Sequence, residues 1–482
     1  MNKVKGGESK INVGYILPDF KQQEIACMSY PLLTAFHDRE FNVFCYTSHF
    51  STELKEECNP NIIWRNMAGV SAELAVRGIQ KDKLDILVDL SSHTASHCLQ
   101  ILAKKPAGIQ MSSIGYFYTT GLKTVEYLLT DKYCNPEQDS QEYFMEEPLR
   151  ISQSHFCYKA GTELPDYKEA PVLRNGYVTF GCFHHFTHVT DEFLGLWQSI
   201  IAAVPNAHLL LKSRIFGSGY GCQETRFRLK RLGFDLAKVE LRSLQSDDMN
   251  DYRDVDMMLD TWPYQGGITT CDALYMGVPV IVLAGKRHSA RFGYSILKNI
   301  GLEECLAEST DEYIKKAISL ANTKYKLLNL HKNLRERMLK SPLMDEKRYI
   351  AKVEQLYKKV LQKKKNRLQD ENLFREVHVL LSTVEEGFTY IHGHLMRDDG
   401  AEIVLQIFAD IALALKNMEI AFEKEEDERE VVARLLKKCN KARQLAKSKQ
   451  RLRAGEIIAV EIMPLVRNLT DQITGYARKE SK

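Results

Sequence analysis

Between Ile11 and Gly285 short apolar runs recur, each bounded by polar turns and separated from the next by a helical pattern. INVGYIL, FNVFCYT, LDILVDL, GIQMSSIGY and VEYLLTD read as strands, and IACMSYPLLTAFH and AELAVRGIQK as helices between them. Strands that alternate with helices predict a parallel sheet covered on both faces. An irregular stretch from Lys159 to Gly176, with Gly161, Pro165 and Pro171, reads as a linker. The alternation then restarts: GYVTFGCF, AHLLLKS, VELRSL, VDMMLDT and VPVIVLAG read as strands, and TDEFLGLWQSIIAAVP as a helix capped by Thr190 or Asp191. Two such halves place ligands at the carboxyl ends of their strands.

Beyond Tyr357 the pattern changes. KKVLQKKKNRLQDEN is Lys-rich and reads as a charged helix end running into a linker. After it Phe374, Val377, Leu381, Val384, Phe388, Ile391 and Leu395 step by alternating threes and fours, as do Val404 to Phe422, Val432 to Ala446 and Ile458 to Leu469. Four amphipathic helices at this spacing predict a small bundle, with Pro464 kinking the last. The expected division is therefore 1–160, 161–365 and 366–482.

Charge and cysteines narrow the class. A formal net charge of +3 over 482 residues excludes the strongly basic field of a general nucleic-acid binder. No signal-peptide pattern opens the chain, and no apolar run approaches the length of about eighteen that a membrane span needs. The 11 cysteines are scattered without a C-x-x-C pair, which predicts reduced thiols and a cytoplasmic protein.

One segment carries chemistry. In YQGGITTCDALYMGVPVIVLAG, Gly266 and Gly267 let the backbone approach a ligand, and a helix starts at Thr269 and Thr270. Its free N–H groups and dipole favour an anion, and Asp272, one turn in, is within reach of a ribose hydroxyl. In the second half of a two-Rossmann protein this suits a nucleoside diphosphate, although the same residues also make ordinary strand-to-helix turns.

With INVGYILPDF, DKLDILVDLSSHTASH, KKPAGIQMSSIGYFYTTGLKTVEYLLTD, VTFGCFHHFTHVTDEF, LDTWPYQGGITTCDALYMGVPVIVLAG and SPLMDEKRYIAKVEQLY in this order, the chain resembles the catalytic region of the O-linked GlcNAc transferase and SPINDLY protein glycosyltransferases, nearer the SPINDLY branch. The resemblance covers roughly Ile11 to Leu361. It implies an α/β GT-B fold, two Rossmann-like domains facing a cleft, here followed by an all-α bundle. It implies inverting, metal-independent transfer of a sugar from a nucleotide sugar, a UDP-sugar or a GDP-sugar, to Ser or Thr hydroxyls of a protein. No separate cofactor is implied. On this reading Gly266, Gly267, Thr269, Thr270 and Asp272 hold diphosphate and ribose, and Gly115, Tyr116, Thr120 and Gly121 form a loop near the sugar, with Phe117 where the family has proline. His93 stands at the histidine of the SPINDLY G-H-T motif.

Three positions depart from the family. Gln23 stands where a histidine follows the opening D-F pair, His188 where a lysine ends the F-N-x-x-x-K loop, and Asp248 where a histidine is expected near the base. Glutamine is no general base but does hydrogen-bond; His184, His185 and His93 are candidates for that role. A histidine replaces the lysine's charge only when protonated, and its ordinary pKa of about 6.5 makes that partial at neutral pH. His184, His185 and His188 lack the Cys, Asp or Glu companions of a metal site and are expected at phosphate or sugar, with plain loop histidines as the alternative. Lys212, closing its strand, is the candidate substitute cation or a solvated strand end; Lys286, Arg287, His288 and Arg291 are a ligand-contacting loop or a basic surface. Three functions compete: an active transferase with altered donor preference, a nucleotide-sugar-binding protein without turnover, and a scaffold acting through its helices. The bundle either docks a partner protein or a second copy, or forms a closed core. No tetratricopeptide repeat of about 34 residues is present.

Overall fold

The computed structural model describes residues 10–17, 23–48, 52–91, 98–116, 118–137, 144–160, 169–244, 249–397, 401–422 and 425–479. Contacts divide the chain into two units, Met1–Lys358 and Lys359–Lys482.

The first unit holds two all-parallel sheets. In the first, β1 (Ile11–Ile16), β2 (Phe41–Thr47), β3 (Ile63–Asn66), β4 (Ile86–Asp89), β5 (Ile109–Ser112), β6 (Tyr127–Asp131) and β7 (Glu147–Ile151) lie in the order β3-β2-β1-β4-β5-β6-β7. In the second, β8 (Thr179–Cys182), β9 (His208–Ser213), β10 (Val239–Ser243), β11 (Met257–Leu259), β12 (Val280–Leu283) and β13 (Leu306–Ala307) lie in the order β10-β9-β8-β11-β12-β13. Both are doubly wound, and the two Rossmann-like halves make the GT-B fold. The central strands are continuous apolar runs because helices cover both faces; Ile86, Leu87 and Val88 are fully buried, as are Ile281 and Val282.

The order of each sheet reverses once. In the first the switch falls between β1 and β4, paired from Val13↔Ile86 to Ile16↔Asp89. In the second it falls between β8 and β11, paired Phe180↔Met257 and Gly181↔Met258. The crevice beyond the carboxyl ends at such a point is where open α/β sheets bind ligands.

The strands absent from the sequence reading, β3, β7 and β13, are all edges. IWRN, EPLRI and LA are short or polar because one side of each lacks a neighbouring strand, so none has the unbroken apolar run of a central strand. Thr190 caps its helix, Asp191–Ala203, by accepting from the Phe193 amide at 3.2 Å.

A buried polar cluster joins the two halves. Asp131, at the end of β6, accepts through Oδ1 from the amides of Tyr133 and Cys134, both at 2.8 Å. Its Oδ2 accepts from the His155 amide at 3.0 Å, the His155 ring at 2.6 Å and the Ser295 hydroxyl at 2.7 Å. Ser295 belongs to the second half, in the helix Phe292–Ile300. The Arg291 guanidinium donates to the carbonyls of Tyr133 at 2.6 Å and Gly285 at 2.9 Å. His288 is buried and its ring bonds Asn135 at 2.5 Å. Of the four basic-loop residues, only Lys286 and Arg287 are exposed; His288 and Arg291 hold the halves together.

In the second unit the stepped apolar positions form one core, from Val377, Leu381 and Phe388 through Phe408 and Leu435 to Leu469. The Lys-rich stretch expected to enter a linker is instead interior to one 52-residue helix, Glu346–Arg397. It holds no Gly or Pro, and Lys, Arg, Gln, Leu and Glu are strong helix formers; Arg367 and Glu371 add an i,i+4 pair at 3.4 Å. Pro464 makes its mark as a π turn, Ile458–Ile462, between the helices Arg451–Ile457 and Met463–Lys479. Its missing N–H and its ring prevent a regular turn there. Among the described residues no helix is long and apolar enough to cross a membrane, and ten cysteines are free.

Burial pushes the Asp131 carboxyl up, but the neighbouring His155 and the hydrogen bonds to its oxygens outweigh this and hold it at about 2. Its stabilisation is therefore present above pH 4 and lost between about 4 and 2. Burial and then His155 push His288 down to about 3. The neutral ring thus stabilises the fold above about pH 6.5, and less as the pH falls toward 3. Asp256, raised to about 6 by burial, opposes this trend, and His331, lowered to about 4 by burial, adds to it. The melting temperature is expected to fall from pH 7 to 5 less steeply in His288→Gln than in the native protein. Asp131→Ala should cost about 3–5 kcal/mol in denaturant unfolding, since it strands buried donors.

Candidate functional site

At the switch point of the second sheet, β8 ends at Cys182 and β11 at Leu259. Asp260 follows β11 and is 1% exposed. Its Oδ1 accepts from the amides of Thr261 and Gly266, each at 2.9 Å, and so folds the intervening loop back on itself. The same oxygen lies 3.0 Å from Nε2 of His184, which follows β8. The other ring nitrogen, Nδ1, is 3.1 Å from the Thr269 hydroxyl, with Nε2 at 3.4 Å from it. The three side chains come from two strand ends and a helix start, and form one contact chain.

The helix Ile268–Tyr275 begins at Gly267, with no side chain capping it. The Thr269 carbonyl accepts from Tyr252 at 3.2 Å, and Thr270 is buried. The two glycines have different reasons. A Cβ on Gly266 would lie 2.1 Å from Cε1 of His184, so this glycine makes room for the histidine. A Cβ on Gly267 would meet only Cε of Met28, at 3.6 Å, and that methionine comes from the helix Gln23–Thr34 of the first half. Asp272 accepts from the Tyr158 hydroxyl at 2.6 Å. Residues of the first half therefore reach this helix start at two points.

The histidine loop splits. His184 turns inward, while His185 and His188 are exposed, with ring centroids 5.7 Å apart. His188 stands 5.6 Å from the Tyr264 ring. Lys212 is not a solvated cation: it is 4% exposed, paired with Asp251 at 2.5 Å, and lies 5.6 Å from the Phe183 ring centroid. Asp251 also binds Arg242 at 2.7 Å. The alternative of a solvated strand end is thereby corrected: Lys212 is held against the partly buried Asp251 carboxylate, which it shares with Arg242.

In the first half, Gly115 and Tyr116 follow β5 and are buried. The Tyr116 hydroxyl donates to Asp89 at 2.6 Å, at the end of β4. The Thr120 amide donates to Glu146 at 2.7 Å, its hydroxyl bonds the same oxygen, and Thr119 takes the other oxygen at 2.7 Å. Gly121 turns with φ +72. Asp89 and Glu146 thus pin the loop expected near the sugar. Gln23 opens the helix Gln23–Thr34, and its side chain lies outside the described residues, as do His93, Phe117 and Asp248.

Among the described residues, one group has metal-ligand types: Asp131, Cys134 and His155, all buried. Asp131 and His155 bond each other, and Cys134 donates to the Arg291 carbonyl at 3.4 Å. These atoms serve the joint between the halves. The sequence reading missed Asp260, Tyr158 and Tyr252; only Asp260 left a signal, an aspartate closing the apolar run VDMML.

Residues 1–174 and 166–353 match the profile of the family described as glycosyl transferase family 41. Over 73% of this chain and 39% of the relative, the sequence is 35% identical to the Petunia hybrida protein named probable UDP-N-acetylglucosamine–peptide N-acetylglucosaminyltransferase SPINDLY. The tomato (Solanum lycopersicum) SPINDLY is 36% identical over the same shares, and SEC of Arabidopsis thaliana 29% identical over 74% of this chain and 38% of the relative. The chain thus spans about two-fifths of the length of these relatives. An O-GlcNAc transferase mutant of Thermobaculum terrenum superposes with a TM-score of 0.67 at 27% identity, over 73% of this chain and 68% of that one.

Gly266→Ala is expected to lower the unfolding free energy by about 1–3 kcal/mol, the usual cost of forced overpacking. Gly267→Ala should cost under about 1 kcal/mol. Denaturant titration of the two variants checks the contrast, and equal losses would show that His184 does not occupy the space beside Gly266.

Proposed function

The chain belongs to glycosyl transferase family 41, and we propose that it transfers a sugar from a nucleotide sugar to Ser or Thr hydroxyls of a protein, with inversion and without a metal. The observation that carries this reading is the uncapped helix start Gly267–Thr270 at the switch point of the second sheet, with His184 beside it and Asp260 beneath. Free helix amides and a histidine next to them suit a diphosphate, and the SPINDLY relatives are named for a UDP-N-acetylglucosamine reaction. The donor is a UDP-sugar on this ground, with a GDP-sugar as the competing nucleotide.

In the proposed reaction the acceptor hydroxyl attacks the anomeric carbon from the face opposite the diphosphate. The bond from that carbon to the phosphate oxygen breaks, the diphosphate departs with the electron pair, and the acceptor's proton passes to His93, the candidate base among the histidines not assigned to the diphosphate. Thr269, Thr270 and the backbone after Gly266 hold the diphosphate, and Asp272 the ribose side. His185 and His188, exposed on the same loop, are the groups proposed to meet the departing charge; Gln23, which is no base, is proposed to hydrogen-bond, Asp248 to lie near the nucleotide base, and His93 to stand beside the cleft as the family pattern implies. Tyr116 and Thr120 shape the sugar side through their carboxylate anchors. We further propose 1–160, 161–365 and 366–482 as the domains, with action in the cytoplasm and the bundle as a closed core.

A second reading, donor binding without turnover, is favoured by the engagement of Lys212 with Asp251 and by Gln23 in place of a histidine. Calorimetry should detect UDP binding that Thr269→Ala and Asp272→Asn each weaken by about 1–3 kcal/mol. Intact-mass measurement of candidate acceptors with UDP-N-acetylglucosamine and other nucleotide sugars separates the two readings, since binding without any mass increase assigns the second. If transfer occurs, His188→Ala should slow it about a hundredfold, and His188→Lys should sustain it at alkaline pH.

A further inference from the structure

We propose that the helical unit carries a docking groove for a basic amphipathic helix of another protein, between the helices Glu346–Arg397 and Ala401–Ala421.

The helix Ala401–Ala421 is apolar on two sides. One stripe, Val404, Phe408, Ile411, Leu415 and Met418, is buried in the core. Away from that stripe, Ile403, Leu413 and Ile420 are 57%, 61% and 66% exposed. The charged residues of the whole helix are Glu402, Asp410, Lys416 and Glu419. A helix side that faces solvent is ordinarily polar. The helix Glu426–Lys447 of the same unit follows that rule, with Arg434, Lys437 and Lys441 turned to solvent and none of its large apolar side chains exposed. Packing of the core therefore does not account for the outer apolar residues of Ala401–Ala421.

Beside them runs a groove. Its walls are Leu380, Thr383 and Tyr390 on one helix and Ile407 and Ala414 on the other. A Cβ on Gly387 would lie 2.9 Å from Cδ1 of Ile411. The glycine thus lets the two helices approach and leaves no side chain between Thr383 and Tyr390. From Leu380 to Tyr390 the helix rises about 15 Å, the length of about two to three turns of an occupying helix. Such a groove takes apolar anchors at i, i+3 or i+4, and i+7.

Charge selects the occupant. Glu386 lines the groove from one helix and Asp410 from the other, both exposed, and Asp410 accepts from the Gln406 amide at 3.1 Å. Among the described residues no ion pair engages either carboxylate. A second copy seated by a two-fold axis would set this acidic groove against itself, and like charges brought together oppose association. A membrane surface calls for lysines and arginines beside the apolar residues, where this groove has carboxylates. A helix whose apolar row enters the groove and whose Lys or Arg residues flank that row meets Glu386 on one side and Asp410 on the other. The buried anchors then supply affinity, and the exposed charges supply orientation and choice of partner.

The test uses the full chain and a synthetic peptide of about four helical turns, with leucines at i, i+4, i+7 and i+11 and lysines flanking them, read by fluorescence anisotropy. A second peptide carries glutamate in place of every lysine. The lysine peptide is expected to bind at least about tenfold tighter than the glutamate peptide, and less tightly as salt is raised. Glu386→Lys combined with Asp410→Lys should reverse the preference. Leu380→Gln should weaken the lysine peptide by about tenfold, while Leu452→Gln, on another helix, should leave it unchanged. No binding of the lysine peptide, equal binding of the two peptides, or binding untouched by the groove substitutions overturns the proposal. So does a dimer in sedimentation equilibrium that Leu413→Glu dissociates, since a second copy then covers these residues. The two peptides are compared on the native chain, so the test stands where a variant fails to fold.

Discussion

The Asp131 carboxylate is 0% exposed and accepts five hydrogen bonds, one of them from Ser295 in the other half of the unit. A buried charge is tolerated only where its lone pairs are met, so the two halves are held wherever those donors stand. The line continues from there. Ser295 shares the helix Phe292–Ile300 with Gly293, whose missing side chain leaves room for Asp260: a Cβ would lie 2.7 Å from its Oδ2. Asp260 fixes the loop to Gly266 and orients His184, and His184 meets Thr269. The candidate site is thus framed by two buried aspartates, each at the carboxyl end of a parallel strand.

The two cationic residue types near the site are used in different ways. Lys212 is buried, matched by Asp251 and packed on Phe183, so its charge is committed to the fold. Histidine is the residue for a charge that must come and go near neutral pH. A strand-end loop with three histidines has one turned in against a carboxylate and two turned out to solvent. That division assigns the inner ring to holding geometry and leaves the outer rings free to meet a ligand.

The helical unit follows a simpler logic. Its apolar stripes bury one against another, and Phe388, Phe408, Leu435 and Ile462 are all fully buried in one core. Nothing in the Lys-rich stretch before it stops a helix, because charge alone does not break one where the residues are good formers and i,i+4 partners are available. A polar composition suggested a linker where the backbone had no reason to leave the helix.

Periodicity is local, and what depends on it was readable in the chain: the central strands, the helix capped by Thr190, the stepped faces of the bundle, and the helix start after Gly266 and Gly267. Three of the four edge strands escaped, since β3, β7 and β13 are short or show too few apolar residues to announce themselves. The partners of the site residues escaped for a different reason. His184 meets an aspartate 76 positions away and a threonine 85 away, Lys212 an aspartate 39 away, and Asp272 a tyrosine 114 away. Which of three neighbouring histidines turns inward depends on a carboxylate brought in by another strand, and whether a lysine is free depends on what packs over it. The sequence by itself determined which residue types stand at the strand ends; only the tertiary structure decided which of them touch, because hydrogen bonds and ion pairs form across space and leave no period in the chain.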